Sequence, residues 1–587
     1  MPDRIRSSSS TRPLLLLAVA LASSLLGCER LGSEQGSAGA PQAWEYSEAV
    51  APAQASSAMV STTDRLGTLA GLRIMEDGGN AVDAAVGISF VLAVVNPEAG
   101  NIGGGGFMVI RLADGDTYSL DYRERAPAAA TRDMYLDDRG APTLRSLRGH
   151  SAAGVPGSVM GLWEAHQRFG TIEWPVLLEP AIELAQGFEV SERLASSLAR
   201  AQSSLEDFYA TREAFLPGGA PPAIGAIFRQ PDLAKTLSRV RDNGPGGFYT
   251  GVTADLIVDE MRRADGLITH SDLSGYAAIW REPVSFRYRG HTLHSMAPPS
   301  SGGATMALIA QIVEGYDLPS FGRHSTQTVH VLAEASRRAY ADRNQALADP
   351  DFVEVPLDRM TSRDYARARG ADISMSAATP SQQVGPAVLV SEGAETTHVS
   401  VVDAMGNAVA LTTTLNSLYG SRVTVAGAGF LLNNEMDDFA TRPGFPNQFG
   451  LVQGERNAIE PGKRMLSAMT PTIVEDRDGE LFLVLGSPGG STIITTVFQT
   501  IVNVVDFGMD VSQSVRAPRI HHQHLPDRIQ YERGGLLPTV VDSLRTLGHT
   551  VEERVGTSGD VQAILVLPDG TLSGYSDPRR GGWAAGF

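Results

Sequence analysis

Thr396-Thr397-His398-Val399-Ser400-Val401-Val402-Asp403-Ala404-Met405-Gly406-Asn407-Ala408-Val409-Ala410-Leu411-Thr412-Thr413-Thr414-Leu415-Asn416, preceded by Glu395, is the stretch on which the reading of the chain turns. Two alternating, β-branched runs flank a short turn containing Gly406 and Asn407, the pattern of a β-hairpin. A three-residue loop, Ala404-Met405-Gly406, lets glycine supply the left-handed residue and pairs Asp403 with Asn407. Counting outward sets Thr396 opposite Thr414. Strand side chains alternate, so Thr397, Val399, Val401, Val409, Leu411 and Thr413 share a mostly apolar face. Thr396, His398, Ser400, Thr412 and Thr414 share a small, polar one. Pattern alone makes this an ordinary half-buried hairpin.

The segment before it suggests more. Ile373 to Glu395 is rich in Ser, Ala, Pro and Gln and carries almost no periodicity. A structureless run of ~20 residues inside a compact domain needs a reason, and cleavage of the chain at its end is one. A cut between Glu395 and Thr396 gives Thr396 a free α-amine with a pKa near ~8, against ~10.4 for Lys. That amine lies beside its own hydroxyl, so one residue offers nucleophile and general base. Thr414 stands where its hydroxyl can bond to that of Thr396.

The rest of the sequence narrows the options. The 587 residues are 42% hydrophobic and 19% charged, a globular composition with room for a large core. A net charge of −18 leaves no excess cation for phosphates and argues against nucleic acid as partner. Arg4, Arg6 and Arg12 precede a short apolar stretch, Leu14 to Leu26, that ends at Gly27-Cys28. This reads as an export signal over residues 1–27 and resembles the lipobox of bacterial lipoproteins, with Cys28 as the lipidated residue. Residues 28–57, rich in Gly, Ala, Ser and Gln, are expected to tether the domain flexibly. The expected location is the periplasm, anchored to the outer membrane by lipid alone. Cys28 is the only cysteine, so the globular part has no thiol nucleophile, disulfide or Cys-based metal site. No cofactor or metal is called for: His521, His522 and His524 lack ligand spacing and read as structural or surface residues.

Along the chain, Leu66 to Asp77 and Ala81 to Val95 read as helices, the second capped by Asn80. Gly103 to Gly106 precedes a strand rather than a helix, and close backbone packing is its expected role. Strands are also expected at Tyr118–Tyr122, Gly429–Leu432, Thr470–Glu475 and Leu481–Leu485, and a long helix at Thr326–Asp349. Pro488-Gly489-Gly490, between a strand and a helix, can aim two backbone N–H groups at an oxyanion. Helices and strands come in blocks, which favours α+β layers over a doubly wound parallel sheet. The signal and linker alone would also suit a tethered solute-binding lipoprotein.

Several long motifs occur in one order: Pro97 to Phe107, Asp121-Tyr122-Arg123-Glu124, Pro298-Pro299-Ser300-Ser301-Gly302-Gly303, Thr396-Thr397-His398, Leu431 to Phe439, and Gly486 to Ser491. On these the chain resembles the bacterial γ-glutamyltransferases, or glutathione hydrolases, from about Ala58 to Phe587. The resemblance implies an N-terminal-nucleophile hydrolase with stacked αββα layers. It implies self-cleavage into a large subunit, 58–395, and a small one, 396–587, which stay intertwined as a heterodimer. It makes Thr396 the nucleophile, Thr414 its partner, and Gly489 and Gly490 the oxyanion hole. Arg123 and Ser467 would hold the α-carboxylate of a γ-glutamyl group, and Asn416, Glu435 and Asp438 its α-amino group. The implied substrates are glutathione and related γ-glutamyl compounds, with water, amino acids or peptides as acceptors. Two departures stand out: a Ser-Ser pair of the family is Ser467-Ala468 here, and Glu435 stands where some members carry Gln. Phe449, in the lid-like loop Pro443 to Gly450, replaces a tyrosine. The missing hydroxyl at Ala468 keeps open a cephalosporin or glutaryl acylase, or a poly-γ-glutamate depolymerase, on the same scaffold.

Overall fold

The hairpin lies at the centre of a seven-stranded antiparallel sheet in the computed structural model, which describes residues 44–385, 396–448 and 450–587. From edge to edge the strands are Trp583–Gly586, Met59–Thr62, Thr397–Val402, Ala408–Thr414, Gly105–Arg111, Thr117–Tyr122 and Ile279–Arg281. The register is the expected one: Thr397 pairs with Thr413, Val402 with Ala408, and Asp403 N–H donates to Asn407 O at 3.0 Å. Gly406 is left-handed at φ 89°. The Asp403 carboxylate secures the turn. It accepts Met405 N–H at 2.9 Å, Asn407 N–H at 3.0 Å and the Asn407 amide at 2.8 Å. It also accepts Ala81 N–H at 2.9 Å, which ties the turn to the first residue of a helix.

That helix, Ala81–Val95, starts with a reciprocal cap between Asn80 and Asp83 and is buried along its whole length. Its neighbours and Val399, Val401, Val409 and Leu411 form one core, which uses the apolar face of the hairpin. Burying each such side chain stabilises the fold by about 1.5–3 kcal/mol. A second antiparallel sheet covers the other face, in the order Ala53–Ala55, Leu572–Ser576, Gln562–Val566, Leu481–Gly486, Thr472–Glu475, His291–Ser295 and Val284–Tyr288. Met59, Val109, Val402, Ala410, Ile473, Val484 and Ile564 fill the space between the sheets. Helices Gly302–Val313, Thr326–Ala346 and Ile493–Val505 close the outer face of the second sheet through a further core. The architecture is therefore α+β, an αββα sandwich. Among the described residues no helix is long and apolar enough to cross a membrane.

The polar face of the hairpin is buried as fully as the apolar one, because it lies between the sheets. His398 is bonded to Thr412 Oγ1 at 2.7 Å and to Ser400 Oγ at 3.2 Å. Burial pushes its pKa down to about 3, so the ring is neutral. Gly486 makes room for it, since a Cβ there would lie 2.2 Å from the ring.

Three expectations need correction. The fold begins before residue 58: Trp44 is buried and donates to Arg516 O at 2.8 Å, and Ala53–Ala55 pairs with Leu572–Ser576. A tryptophan and a strand are enough to hold a segment whose composition reads as a tether. Gly429–Leu432 is not a strand, because Gly427 and Gly429 are left-handed and fold the chain back, leaving one isolated bridge between Thr424 and Leu431. Residues 373–385 are not structureless: Ser381–Val384 is helical, Ser381 N–H bonds Asp527 at 2.7 Å, and Thr379 N–H bonds Glu334 at 3.1 Å. Carboxylates elsewhere in the chain, the buried Glu334 and the half-buried Asp527, order them, and local periodicity carries no trace of that. His521, His522 and His524 are buried, hence structural rather than surface residues. Glu395, Cys28 and Phe449 lie outside the described residues.

Replacing Asp403 by Ala leaves buried turn donors without acceptors, and each unsatisfied group costs about 1–3 kcal/mol. Chemical denaturation of Asp403→Ala, in a chain kept whole by Thr396→Ala and compared with Thr396→Ala alone, is expected to show a loss of about 3 kcal/mol or more, with the midpoint lowered.

Candidate active site

The hairpin register brings Thr396, just before one strand, against Thr414, the last residue of the other. Thr396 is 5% exposed, and its Oγ1 donates to Thr414 Oγ1 at 3.3 Å. Thr414 Oγ1 also accepts Asn416 N–H at 2.8 Å, which fixes the oxygen that Thr396 faces. The backbone is held from the other side by Asn101, whose amide donates to Thr414 O at 2.8 Å and whose Oδ1 accepts Gly104 N–H and Ser158 Oγ. The glycine run does what close packing requires: a Cβ on Gly104 would lie 2.1 Å from Thr414 O. Asn416, Tyr419 and Arg422, in the loop that leaves the hairpin, all have positive φ, a concentration of backbone strain next to the nucleophile candidate.

Gly489 and Gly490 are left-handed, at φ 140° and 53°, at the turn between the strand Leu481–Gly486 and the helix Ile493–Val505. A Cβ on Gly489 would lie 2.5 Å from Thr492 Oγ1. Gly490 lines the same pocket as Thr396 and Thr414, and Gly489, the residue before it, borders a neighbouring cavity of 1370 Å³.

The rest of the pocket is built on charge. Arg123, Asn416, Glu435, Asp438, Ser467 and Ala468 all line it, so the sequence candidates converge. Arg123 is fully buried and donates to Glu435 Oε1 and, at 2.5 Å, to Asp438 Oδ2. Glu124 lies 3.7 Å from the same guanidinium, with neither carboxyl oxygen hydrogen-bonded among the described residues. Burial opposes the charge on Arg123, but Glu435, Asp438 and Glu124 outweigh it and push its pKa up. The carboxyls respond differently: burial pushes Glu435 well above the usual carboxylate range, and raises Asp438, in spite of Arg123. One guanidinium cannot balance three carboxylates, so the cluster retains protons while Arg123 stays charged. The ion pairs close the pocket to 20 Å³, room for a water-sized molecule. A ligand with both an anion and an ammonium would open it by offering each partner a substitute.

Sequence reasoning missed several contributors. Asn433 bonds Gly103 O at 2.9 Å, Gly154 O at 2.8 Å and the N–H groups of Gly154 and Glu435, and so sets Glu435 in place. Asn101 does the same for Thr414. Both are asparagines within glycine- or asparagine-rich motifs, where a buried amide can satisfy several backbone groups at once. Arg343, on the helix Thr326–Ala346, also lines the pocket. His330, Glu334 and His549 come close enough to hold a metal ion. Glu334, however, is ion-paired with Arg337 and Arg338, and a cation would have to displace both.

A threonine at the start of a central strand, between facing antiparallel sheets covered by helices, defines the N-terminal-nucleophile hydrolase class. The γ-glutamyltranspeptidase family model matches residues 67–587, and the chain belongs to that family. It is 44% identical to the glutathione hydrolase proenzyme of Escherichia coli K12, over 97% of this chain and 98% of that protein. It is 48% identical to the Pseudomonas aeruginosa glutathione hydrolase proenzyme, over 89% and 93%. Among solved structures, a cephalosporin acylase from Bacillus halodurans is similar at a TM-score of 0.81 and 25% identity, over 93% of this chain and 99% of that one. Membership of an enzyme family removes the solute-binding alternative.

Burial pushes the Glu124 carboxyl up to about 7 against the pull of Arg123. The folded chain thus keeps this proton up to about pH 7, whereas an unfolded one releases it near ~4.5. The folded state binds more protons in that window, so this group makes stability fall as pH rises through it. Glu124→Gln is expected to flatten that slope between pH 5 and 7 in denaturant titrations of the chain kept whole by Thr396→Ala, because Gln stays neutral throughout.

Proposed function

We propose that the protein is a self-processing γ-glutamyltransferase and glutathione hydrolase, with Thr396 as nucleophile. The observation that carries this is the convergence on one pocket of the Thr396–Thr414 pair and the Arg123–Glu435–Asp438 cluster. The first suits acyl transfer, and the second suits an α-amino acid head group.

In the uncut chain the Thr396 nitrogen is a peptide nitrogen and cannot serve as a base. Thr396 Oγ attacks the Glu395 carbonyl and the Thr396 nitrogen leaves it, giving an ester. The hydroxyl proton passes to that nitrogen, which becomes the free α-amine; water then hydrolyses the ester, releasing the Glu395 carboxylate and restoring the Thr396 hydroxyl. In turnover that amine takes the Oγ proton as Oγ attacks the γ-glutamyl amide carbon of glutathione. The N–H groups of Gly489 and Gly490 stabilise the oxyanion. The intermediate collapses as the leaving nitrogen takes the proton, so cysteinylglycine departs and a γ-glutamyl ester remains on Thr396. Water or the amine of an amino acid or peptide then attacks that ester, regenerating Thr396. Arg123 and Ser467 bind the substrate α-carboxylate; Asn416, Glu435 and Asp438 bind its ammonium. Arg123 must exchange its present partners for the incoming carboxylate, so binding rearranges these ion pairs. Cys28 is the lipid anchor of an exported, periplasmic protein, and the two cleavage products remain one heterodimer.

Ala468 favours a second reading, an acylase, because a hydroxyl that would serve the carboxylate is absent. The acids of the pocket weigh against it, since a glutaryl group brings no ammonium to meet them.

Purified wild type is expected to run as two chains on a denaturing gel, the smaller beginning at Thr396, and to hydrolyse a γ-glutamyl anilide. Thr396→Ala should remain one chain and show no turnover, and an intact wild-type chain would refute the self-processing reading. Glutaryl anilide turnover that exceeds γ-glutamyl turnover would favour the acylase. Cys28→Ala should move the protein from the membrane to the soluble fraction of a cell lysate; equal membrane retention would rule out the lipid anchor.

A further inference from the structure

Arg343 is a cation in the pocket wall without an anion of its own. It is 1% exposed and lines the pocket beside Thr396, Ser467 and Ala468. Its guanidinium donates to neutral oxygens, from Nε to Ser301 Oγ at 3.1 Å and from Nη1 to Asn344 Oδ1 at 3.0 Å. No carboxylate lies within ion-pairing distance among the described residues. Other arginines of the same helix are treated differently: Arg337 pairs with Glu334 and Asp527, and Arg338 with Glu334 and Asp372. Asp438, the carboxylate whose field reaches Arg343, is committed to Arg123.

A buried charge without a counter-ion is costly in a low-dielectric interior. Burial pushes Arg343 down to about 10, so it is still a cation at neutral pH. Such a charge is tolerable where a bound anion relieves it. The chemistry of the surroundings limits that anion. Glu435 and Asp438 would repel a dianion such as phosphate, whereas a single carboxylate accepts a planar guanidinium fork. Arg343 is also mechanically joined to the wall that a carboxylate would meet. Ser301, which accepts from its Nε, donates N–H at 2.8 Å and Oγ at 2.6 Å to Ser467 O.

The geometry points to Arg343 as a second receptor for the substrate α-carboxylate, acting with Arg123 across the pocket. This rests on the γ-glutamyl reading above. When the substrate enters, its ammonium replaces Arg123 as the partner of Glu435 and Asp438. The carboxylate then lies between two guanidiniums, one of which carried no counter-ion before. The lost hydroxyl at Ala468 is tolerable in a pocket where charge does this work.

The test compares a γ-glutamyl anilide with 4-aminobutanoyl anilide, which lacks only the α-carboxylate. Loss of a hydrogen bond between charged groups corresponds to about 10- to 100-fold in affinity. Arg343→Gln is expected to raise KM for the γ-glutamyl anilide by about that factor with little change in kcat, and to leave kcat/KM for 4-aminobutanoyl anilide within about twofold. Arg343→Lys should recover part of the loss. An unchanged KM in Arg343→Gln, or equal losses on both anilides, overturns the proposal. If Arg343→Gln fails to fold or to cut itself, Arg343→Lys carries the same comparison, and equal losses on both anilides overturn the proposal there too. A self-cut wild type without γ-glutamyl turnover would instead bring down the γ-glutamyl reading, and this proposal with it.

Discussion

The pairing of Thr396 with Thr414 depends on a turn some twenty ångströms of strand away, and on one carboxylate within it. Strand side chains alternate, so a shift of one residue in the hairpin would send Thr396 to the opposite face of the sheet. Asp403 prevents the shift by binding both its own turn and the N-terminus of the helix Ala81–Val95. At the other end, Asn101 holds Thr414 O and the glycine run lets a neighbouring strand approach closely enough for that bond. The Thr396 hydroxyl is positioned by a register locked at both ends, and large cores pack on either side of the strands.

Electrostatic frustration is the second constraint. Several carboxyls and two guanidiniums are buried around one small space, and their charges do not match pair for pair. Arg123 is oversupplied with acid, and Arg343 has none. An amino acid head group is the complement of that imbalance, since it brings an ammonium for the acids and a carboxylate for the arginines. On the proposed function, selectivity would come from charge that the protein leaves unresolved in its interior.

How much of this was legible in the sequence follows from how local each signal is. The hairpin, its register, the capped helix Ala81–Val95 and the role of the glycine run are written in neighbouring residues, and each is found as expected. The segment Gly429–Leu432 has strand composition but bends at two left-handed glycines, a backbone choice that hydrophobic pattern does not record. Residues 44–57 and 373–385 look like linkers because their order comes from partners far along the chain, Arg516 and Leu572–Ser576 for one, Asp527 and Glu334 for the other. Arg343 is one arginine among several on a helix buried almost all round. Only the fold shows that its neighbours are paired and that it is not. Motif resemblance reached the directly opposed site residues. It assigned no role to Asn101 and Asn433, although both lie inside its motifs, nor to Arg343, which lies outside them.

The order of strands bears on what a cut at residue 396 does to folding. In the first sheet Met59–Thr62 lies between Trp583–Gly586 and Thr397–Val402; in the second, Ala53–Ala55 borders Leu572–Ser576 while Thr472–Glu475 borders His291–Ser295. Each piece of a divided chain would leave raw sheet edges if it departed, so the cut product is held by the activation barrier to tearing both sheets. Before the cut, folding is a unimolecular search; afterwards, reassembly would need two chains to meet. Such a molecule folds once. Once cut, its persistence would be set by the rate of unfolding, and equilibrium with an unfolded state would describe the uncut chain alone.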